Sequence, residues 1–526
     1  MDGLRPVLGF PASTSSITEI READVIVLLA ADLTETHPVA KNEAIMATSR
    51  HKGELIVVDA VKTKLSRRRG MHLMCKHGTE HLVAFAMLKE IIDKEWFDRK
   101  AVDLRAEGLD ELVESLAQYD AGTVSALAGV DADVIRQAAE KYAQASKAVI
   151  LLNDGMNRPA QNVLLARAAA NLAVITGNVG KESAGVFVFG EKANAQGAID
   201  MGLAPDLLPG FHSLADEQAR TRFEATWGGP LPKEPGMNAA GILEAAENGD
   251  IRGLYVVGEN PLETYPNRGQ VEQALSKLQF LVVQDLFLTS TARLAHAVLP
   301  IASFMEKNGT VTSAERMIQR VKPVWKPVES KSDLEIFTAL AAMMGKPAMT
   351  YPGPERVMDE IATMVDVYKG VSYDRMGDHG IQWPCVDAED PGKSRLYEGG
   401  FPAGKAQLQP APSFQASPDQ EGPFSLIQGV LKFHSGSISQ LSFSLLEVVA
   451  GAVAEMNRSD MKAVGLSDGD RARMTDPFGA SITVNVKSSR RAPAGVVIVP
   501  QHFSEVMLNT LTRWNDPVPK VRVEKV

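Results

Sequence analysis

The chain has 526 residues, 45% of them hydrophobic and 23% charged, with 55 Lys and Arg against 65 Asp and Glu for a net charge of −10. That balance fits a globular protein of several domains and excludes a nucleic-acid surface, which needs clustered cations. Only two cysteines are present, Cys75 and Cys385, too few and too far apart for a disulfide framework or a cysteine zinc motif.

No stretch approaches the roughly 20 apolar residues of a membrane helix. Residues 1–11 lack the charged start and apolar core of a secretory leader. The expected compartment is therefore cytoplasmic and reducing, with any membrane association arising through a partner rather than by direct insertion. Arg67-Arg68-Arg69 is the one conspicuous basic run and reads as a solvated face.

In chain order, residues 24–29 form a β-branched run that predicts a buried parallel strand. It enters the loop Ala31-Asp32-Leu33-Thr34-Glu35-Thr36-His37-Pro38, a helix near 39–50, and a second strand ending at Asp59. The spacing of 131–145 and 162–175 predicts helices, and Asp131 suits an N-cap. Residues 184–189 read as a strand, followed by a long loop from 197 to 210.

The opening pattern then returns. Residues 253–257 form a strand leading into Gly258-Glu259-Asn260-Pro261-Leu262-Glu263-Thr264-Tyr265-Pro266, a helix near 271–277, and a strand ending near Asp285. Glu-Thr-His-Pro at 35–38 thus answers Glu-Thr-Tyr-Pro at 263–266. Each copy is strand–loop–helix–strand–Asp, half of a nucleotide-binding unit in which a helix N-terminus faces a phosphate. The bland alternative is that each Asp merely caps a turn. Two matching loops favour two related nucleotide sites.

A helix is predicted over 333–344, and a Pro/Gly-rich linker over 392–422. Short strands at 424–427, 471–475, 480–486 and 495–499, with a turn at Asp468-Gly469-Asp470, predict a small β-barrel. Within the apolar 163–175 segment, Arg167 and Asn171 are the only polar side chains and lie four apart on one face. A cation there needs an anion or a set of acceptors: either a structural ion pair or a catalytic contact. His77-Gly78-Thr79-Glu80-His81 lacks the order of a zinc-binding helix and reads as a capped loop.

Several segments together resemble the molybdopterin oxidoreductases of the dimethyl-sulfoxide-reductase type. They are the Asn194–Gly202 stretch with Gln196 and Gly197, the Gly258-Glu259-Asn260-Pro261 loop, Gln284-Asp285 with Thr289 and Thr291, and the Glu306–Arg320 stretch. The C-terminal pattern of Gly429, His434-Ser435-Gly436, His502-Phe503 and Asn509 completes the set. The match covers nearly the whole chain, and its strength lies in the order and spacing of the motifs.

The resemblance implies an α/β fold of two pseudo-symmetric doubly wound nucleotide-binding domains followed by a C-terminal β-barrel. The expected domains are 1–168, 169–350, an irregular segment 351–421, and 422–526. The implied cofactor is a molybdopterin guanine dinucleotide, with molybdenum or tungsten. Asp32, Glu35 and Asp59 would serve one dinucleotide; Gly258, Glu259, Asn260 and Asp285 would serve the other. Gln196, Gly197, Gly429, His434 and Asn509 would approach pterin or phosphate, and Arg167 would orient a substrate carboxylate.

Two departures stand out. Asp59-Ala60-Val61 replaces the family's Asp-Pro-Arg, removing an expected guanidinium. The closely spaced cysteines that hold an iron–sulfur cluster are absent, and no metal ligand is assigned; Ser13, Ser15 and Ser16 read as loop or cap serines. The implied partner is therefore an iron–sulfur-carrying polypeptide. The complex would resemble either a formate dehydrogenase or an NADH–quinone oxidoreductase, in the latter case with this chain as part of the large iron–sulfur component. The alternative is a non-catalytic scaffold with vestigial loops. An ordinary NAD-dependent dehydrogenase fits poorly, because neither first strand is followed by Gly-x-Gly-x-x-Gly.

Overall fold

The structure, a computed structural model, describes residues 2–526 except 155–158, 327–328, 347–348, 414–421, 515 and 517. It comprises two compact units, one formed by residues 1–191 with 395–526 and the other by residues 192–394.

The first unit is built on five parallel strands: β1 Val25–Leu29, β2 Glu54–Asp59, β3 Gly70–Met74, β4 Ala148–Asp154 and β5 Gly185–Gly190. They lie in the order β3-β2-β1-β4-β5. All five residues of β1 are buried, as expected of a strand in a sheet covered on both faces. Covering helices include Pro38–Arg50, Glu80–Asp93, Ala132–Gln144 and Pro159–Ile175. The predicted cap holds: the Asp131 carboxylate accepts from the Asp133 amide at 2.8 Å. Chain order reverses between β1 and β4, and open α/β sheets bind ligands beyond the strand ends at such a point.

The expected boundary at 168/169 differs from the division observed at 191/192. The reason is pairing: β5 adds to β4 over six residues, which keeps the whole Pro159–Ile175 helix with the first sheet. The segment expected to be an irregular linker from 351 also differs. Residues 351–394 belong to the second unit and include the helix Pro354–Met364.

From Arg395 to Ser413 the chain is a strap laid across the first unit. Arg395 pairs with Glu19 at 2.9 Å, Ala406–Gln407 pairs with Ala106–Glu107, and the Tyr119 hydroxyl donates to the Pro412 carbonyl at 2.6 Å. Residues 414–421 of the expected linker lie outside the described residues.

The barrel closes with six strands in the order Phe424–Gly429, Val496–Pro500, Val453–Met456, Ser481–Ser488, Arg471–Thr475 and Lys520–Lys525. Alternating residues fill it, among them Leu426, Ala454, Met456, Met474, Val486, Val497 and Val521. Closure leaves no free edge.

The second unit carries three parallel strands, β6 Gly253–Val257, β7 Phe280–Asp285 and β8 Ala297–Pro300, in the order β8-β7-β6. The loop expected at 197–210 opens instead with a short helix, Ala195–Asp200. Among the described residues, no helix is long and apolar enough to cross a membrane.

Candidate functional site

The first candidate cradle sits where β1 and β4 end. Ala30 turns the chain at φ +49°, and its amide donates to Val58 at 2.9 Å. Asp32 then caps the one-turn helix Leu33–Thr36, accepting from the Thr34 amide at 3.3 Å, while the Thr36 hydroxyl donates back to the Asp32 carbonyl at 3.1 Å. Asp32 also receives a guanidinium from the barrel, Arg491, at 3.1 Å. Burial pushes its carboxyl above the ordinary value, opposed chiefly by Arg491. Glu35 faces Lys64 at 3.3 Å and accepts from the Lys432 amide at 3.3 Å.

Among the described residues, three buried polar atoms here have no hydrogen-bond partner: Thr34 Oγ1, His37 Nδ1 and Asn153 Oδ1. Asn153 spends its amide on Thr36 at 3.2 Å. His37 lies 3.2 Å from the Gly190 carbonyl through Nε2; a carbonyl only accepts, so Nε2 carries the proton. Burial lowers the pKa of His37, keeping the ring neutral and leaving Nδ1 as a bare acceptor. Each buried unmatched group costs roughly 1–3 kcal/mol. A polar ligand at the strand ends would satisfy them.

The second cradle repeats the first in its own unit. Gly258 occupies the position of Ala30, at φ +62°, and its amide donates to Gln284 at 2.8 Å. The one-turn helix Pro261–Thr264 answers Leu33–Thr36, and the Thr264 hydroxyl donates to the Asn260 carbonyl at 3.0 Å. Asp59 and Asp285 match as well. Each is buried and accepts an amide of the next turn, Val61 at 2.9 Å and Leu286 at 2.6 Å, so the turn-capping role weighed for them is present. Burial raises the pKa of Asp285.

The second cradle is more self-contained. The Asn260 carboxamide oxygen accepts from Thr291 Oγ1 at 2.7 Å and from the Thr291 amide at 3.2 Å. Glu259 accepts from Thr264 at 2.7 Å.

The other sequence-derived residues divide by role. Gln196 donates to Asp200 at 2.7 Å in a buried network. A Cβ on Gly197 would stand 2.3 Å from Asn194 Oδ1 and 3.0 Å from Thr312 Oγ1, so packing within this loop demands the glycine. In the barrel, Gly429 lies against Ile498, 3.0 Å from where its own Cβ would be. His434 contacts Ser439 at 3.0 Å and the Val449 carbonyl at 3.2 Å, so both ring nitrogens fasten its own loop. Asn509 is buried in the turn Leu508–Leu511.

Ser13 and Ser15 are stitched to β5 and its approach: the Val188 amide donates to Ser13 Oγ at 3.0 Å, and Ser15 Oγ donates to the Ala184 carbonyl at 2.9 Å. His77 lies 3.7 Å from Glu80 at the start of the Glu80–Asp93 helix. Among the described residues, no cluster of His, Cys, Asp and Glu could hold a metal ion.

Arg167 and Asn171 separate in function. Asn171 is fully buried and clasps the strap, donating to the Gln409 carbonyl at 2.8 Å and accepting the Gln409 amide at 3.2 Å. Among the described residues, the buried Nε of Arg167 has no hydrogen-bond partner. The structural ion pair weighed for it is not among the contacts of the described residues.

Sequence reasoning missed a cluster of cations near position 61. An open pocket of about 520 Å³ is lined by Lys62, Arg67, Met74, Asn457, Arg490 and Ala492 among others. The Arg67–Arg69 run is exposed, as expected of a solvated face. Adjacent Arg490 and Arg491, in a loop between barrel strands, were the available signal. Arg491 meets Asp32 at 3.1 Å, and Lys62, Arg67 and Arg490 line the pocket; cations of this kind suit a ligand bearing phosphates.

The fold is a doubly wound α/β unit joined to a closed β-barrel, and comparison with known proteins gives its family. The molybdopterin oxidoreductase family matches residues 10–343, and the molybdopterin dinucleotide binding domain matches residues 425–522. The chain belongs to the molybdopterin oxidoreductase family.

It is 33% identical over 518 residues to the F420-dependent formate dehydrogenase subunit alpha of Methanocaldococcus jannaschii, covering 97% of this chain and 76% of that protein. Formate dehydrogenase H of Escherichia coli is 31% identical, covering 100% and 76% respectively. An NADH-quinone oxidoreductase G-type chain of Rhizobium meliloti is 30% identical, covering 99% of this chain and 57% of that one. The fold is also that of acetylene hydratase from Pelobacter acetylenicus, with a TM-score of 0.73 and 18% identity over 95% of this chain and 73% of that one.

Proposed function

We propose that this chain is the dinucleotide-holding part of a formate-dehydrogenase-like oxidoreductase, passing electrons to an iron–sulfur-carrying partner within a multi-subunit complex. The observation that carries this reading is the set of unmatched buried atoms on Thr34, His37 and Asn153 beside the Asp32–Arg491 pair, at the switch point of a doubly wound sheet. These residues fit a guanine dinucleotide: Asp32 and Asn153 can accept from a base or ribose, Thr34 can do either, and Lys62, Arg67 and Arg490 can meet phosphates.

When bound, a bis(pterin) molybdenum or tungsten group supplies two-electron redox chemistry. This chain's own residues bind and orient. Among the described residues, the Arg167 Nε keeps its donor unspent on a mostly apolar helix, and a guanidinium is matched to a small carboxylate such as formate.

A scaffold role has one observation in its favour, the internal wiring of Asn260, Glu259 and Asp285 in the second cradle. Turnover of the assembled complex separates the two readings. Arg167→Ala is expected to raise KM for formate and lower kcat/KM at least tenfold, with partial recovery in Arg167→Lys. Turnover unaffected by Arg167→Ala would remove the substrate role.

A further inference from the structure

The Glu-Thr-x-Pro repeat aligns the two cradles residue by residue and shows where they differ. Ala30 falls opposite Gly258 and Asp32 opposite Asn260, but Thr34 falls opposite Leu262 and His37 opposite Tyr265. The Leu262 side chain offers no hydrogen bond. Burial pushes the Tyr265 hydroxyl up to about 12, so it brings a proton to that place. The neutral His37 ring brings a bare nitrogen instead.

Backbone carbonyls lock the polarity of the first cradle. The Asp32 carbonyl only accepts, so Thr36 Oγ1 spends its proton there, at 3.1 Å. Asn153 must then donate to Thr36 through Nδ2, at 3.2 Å, which leaves its Oδ1 as an acceptor. The Gly190 carbonyl fixes His37 in the same way, taking the Nε2 proton at 3.2 Å and leaving Nδ1 as an acceptor. The two acceptors share one corner: Asn153 on β4 is the register partner of Phe189 on β5, and the His37 ring lies 4.8 Å from the Phe189 ring. Among the described residues neither acceptor has a hydrogen-bond partner, and Thr34 Oγ1 is a third unmatched atom. On the barrel side the unmatched atom is a donor, Arg491 Nε.

A ligand that satisfies this corner must present donors. An ionised phosphate has none, and the adenine edge sets an acceptor beside its donor. A 2-amino-4-oxo-pyrimidine edge carries a ring N–H beside an exocyclic NH2, rigid and coplanar, and meets two acceptors at once. A ribose hydroxyl brings lone pairs with its proton and no such fixed edge. Building on the dinucleotide reading above, we propose that the first cradle, unlike the second, selects its ligand by this edge. His37 Nδ1 and Asn153 Oδ1 are the specificity-determining atoms, and the phosphates run towards Arg491. Guanine and pterin share the edge. Removing its amino group strands a buried acceptor, which corresponds to about tenfold weaker binding or more.

The test is calorimetric titration of the full chain, freed of bound cofactor, with two probe pairs: guanosine against inosine diphosphate, and pterin against lumazine. In each pair the second member lacks only the 2-amino group, carrying hydrogen or oxygen in its place. At one site per chain the amino member of one pair is expected to bind about tenfold more tightly or better, and the pair that discriminates tells whether base or pterin lies there. His37→Phe and Asn153→Leu are each expected to bring that ratio close to one while the affinity for inorganic diphosphate stays unchanged. His37→Asn, a milder change that keeps a carboxamide oxygen near the Nδ1 position, is expected to retain part of the preference. A ratio near one for both pairs in the wild type overturns the proposal, as does a ratio that survives both substitutions. Loss of diphosphate binding in step with the other probes overturns it too, because the two side chains would then be structural only. A preference for guanosine over 2′-deoxyguanosine diphosphate that vanishes in the variants would assign the acceptors to the sugar and overturn it as well. In these cases nucleotide binding itself, and the dinucleotide reading, still stand; no binding of any probe defeats both.

Discussion

Asp200 offers a quantitative test of the buried network in the Asn194–Gly202 loop. Its carboxylate is fully buried and accepts from Gln196 at 2.7 Å, the Tyr368 hydroxyl at 2.5 Å and the Trp383 indole at 2.8 Å. Burial opposes its charge more strongly than these donors and nearby Arg316 favour it, and the carboxyl is pushed up from 3.8 to about 7. The unfolded chain releases this proton near the lower value and the folded chain near the higher. Between them the native state holds more protons, so stability falls as pH rises. At roughly 1.4 kcal/mol per pH unit, the group's contribution is fully present below its unfolded value and declines by about 4 kcal/mol once pH passes about 7.

Asp200→Asn removes the titration, and it also loses an acceptor for one of the three donors, so it starts less stable in acid. Urea unfolding followed by tryptophan fluorescence from about pH 4 to 8 should show the wild-type advantage over the variant shrinking by about 4 kcal/mol. Parallel profiles would refute the reasoning, because they would mean that Asp200 is ionised throughout that range.

Arg491→Ala should raise the pKa of Asp32 further, because the guanidinium is the main influence holding it down. With the pair partly exposed, a loss of about 1–2 kcal/mol in thermal unfolding is expected, together with weaker retention of bound guanine nucleotide; unchanged retention would count against the first cradle. Asn171→Ala breaks both bonds to Gln409 in a fully buried position. It should cost about 2–3 kcal/mol and speed proteolysis of the 395–413 strap, whereas wild-type resistance would show that other contacts hold it.

Much of the architecture was legible because its signals are local. The β1 and β6 runs, the cap at Asp131, and the alternating barrel strands each declare themselves within a few residues. The paired Glu-Thr-x-Pro loops extended that reading, and the matched backbone at Ala30 and Gly258 shows why: one loop geometry recurs, with the same helix and the same Asp-capped turn.

What escaped depends on partners distant in sequence. Arg491 reaches Asp32 from the barrel, and Asn171 meets a strap more than two hundred residues away. Nothing near 395–413 indicates that it is a strap, since its order comes from backbone bonds to other elements. Asp59, Gly197 and His434 show the complementary limit. Motif position marked them, but their visible contacts serve turns and loops.

The central claim is that two cradles of one design each hold a guanine dinucleotide. It is tested most directly by measuring guanine released per chain from the native assembly, alongside Asp32→Ala and Asp285→Ala variants of confirmed fold. About two guanines per chain in the wild type, falling towards one in either variant, is the predicted result. No guanine in the wild type, or content indifferent to both substitutions, would contradict it.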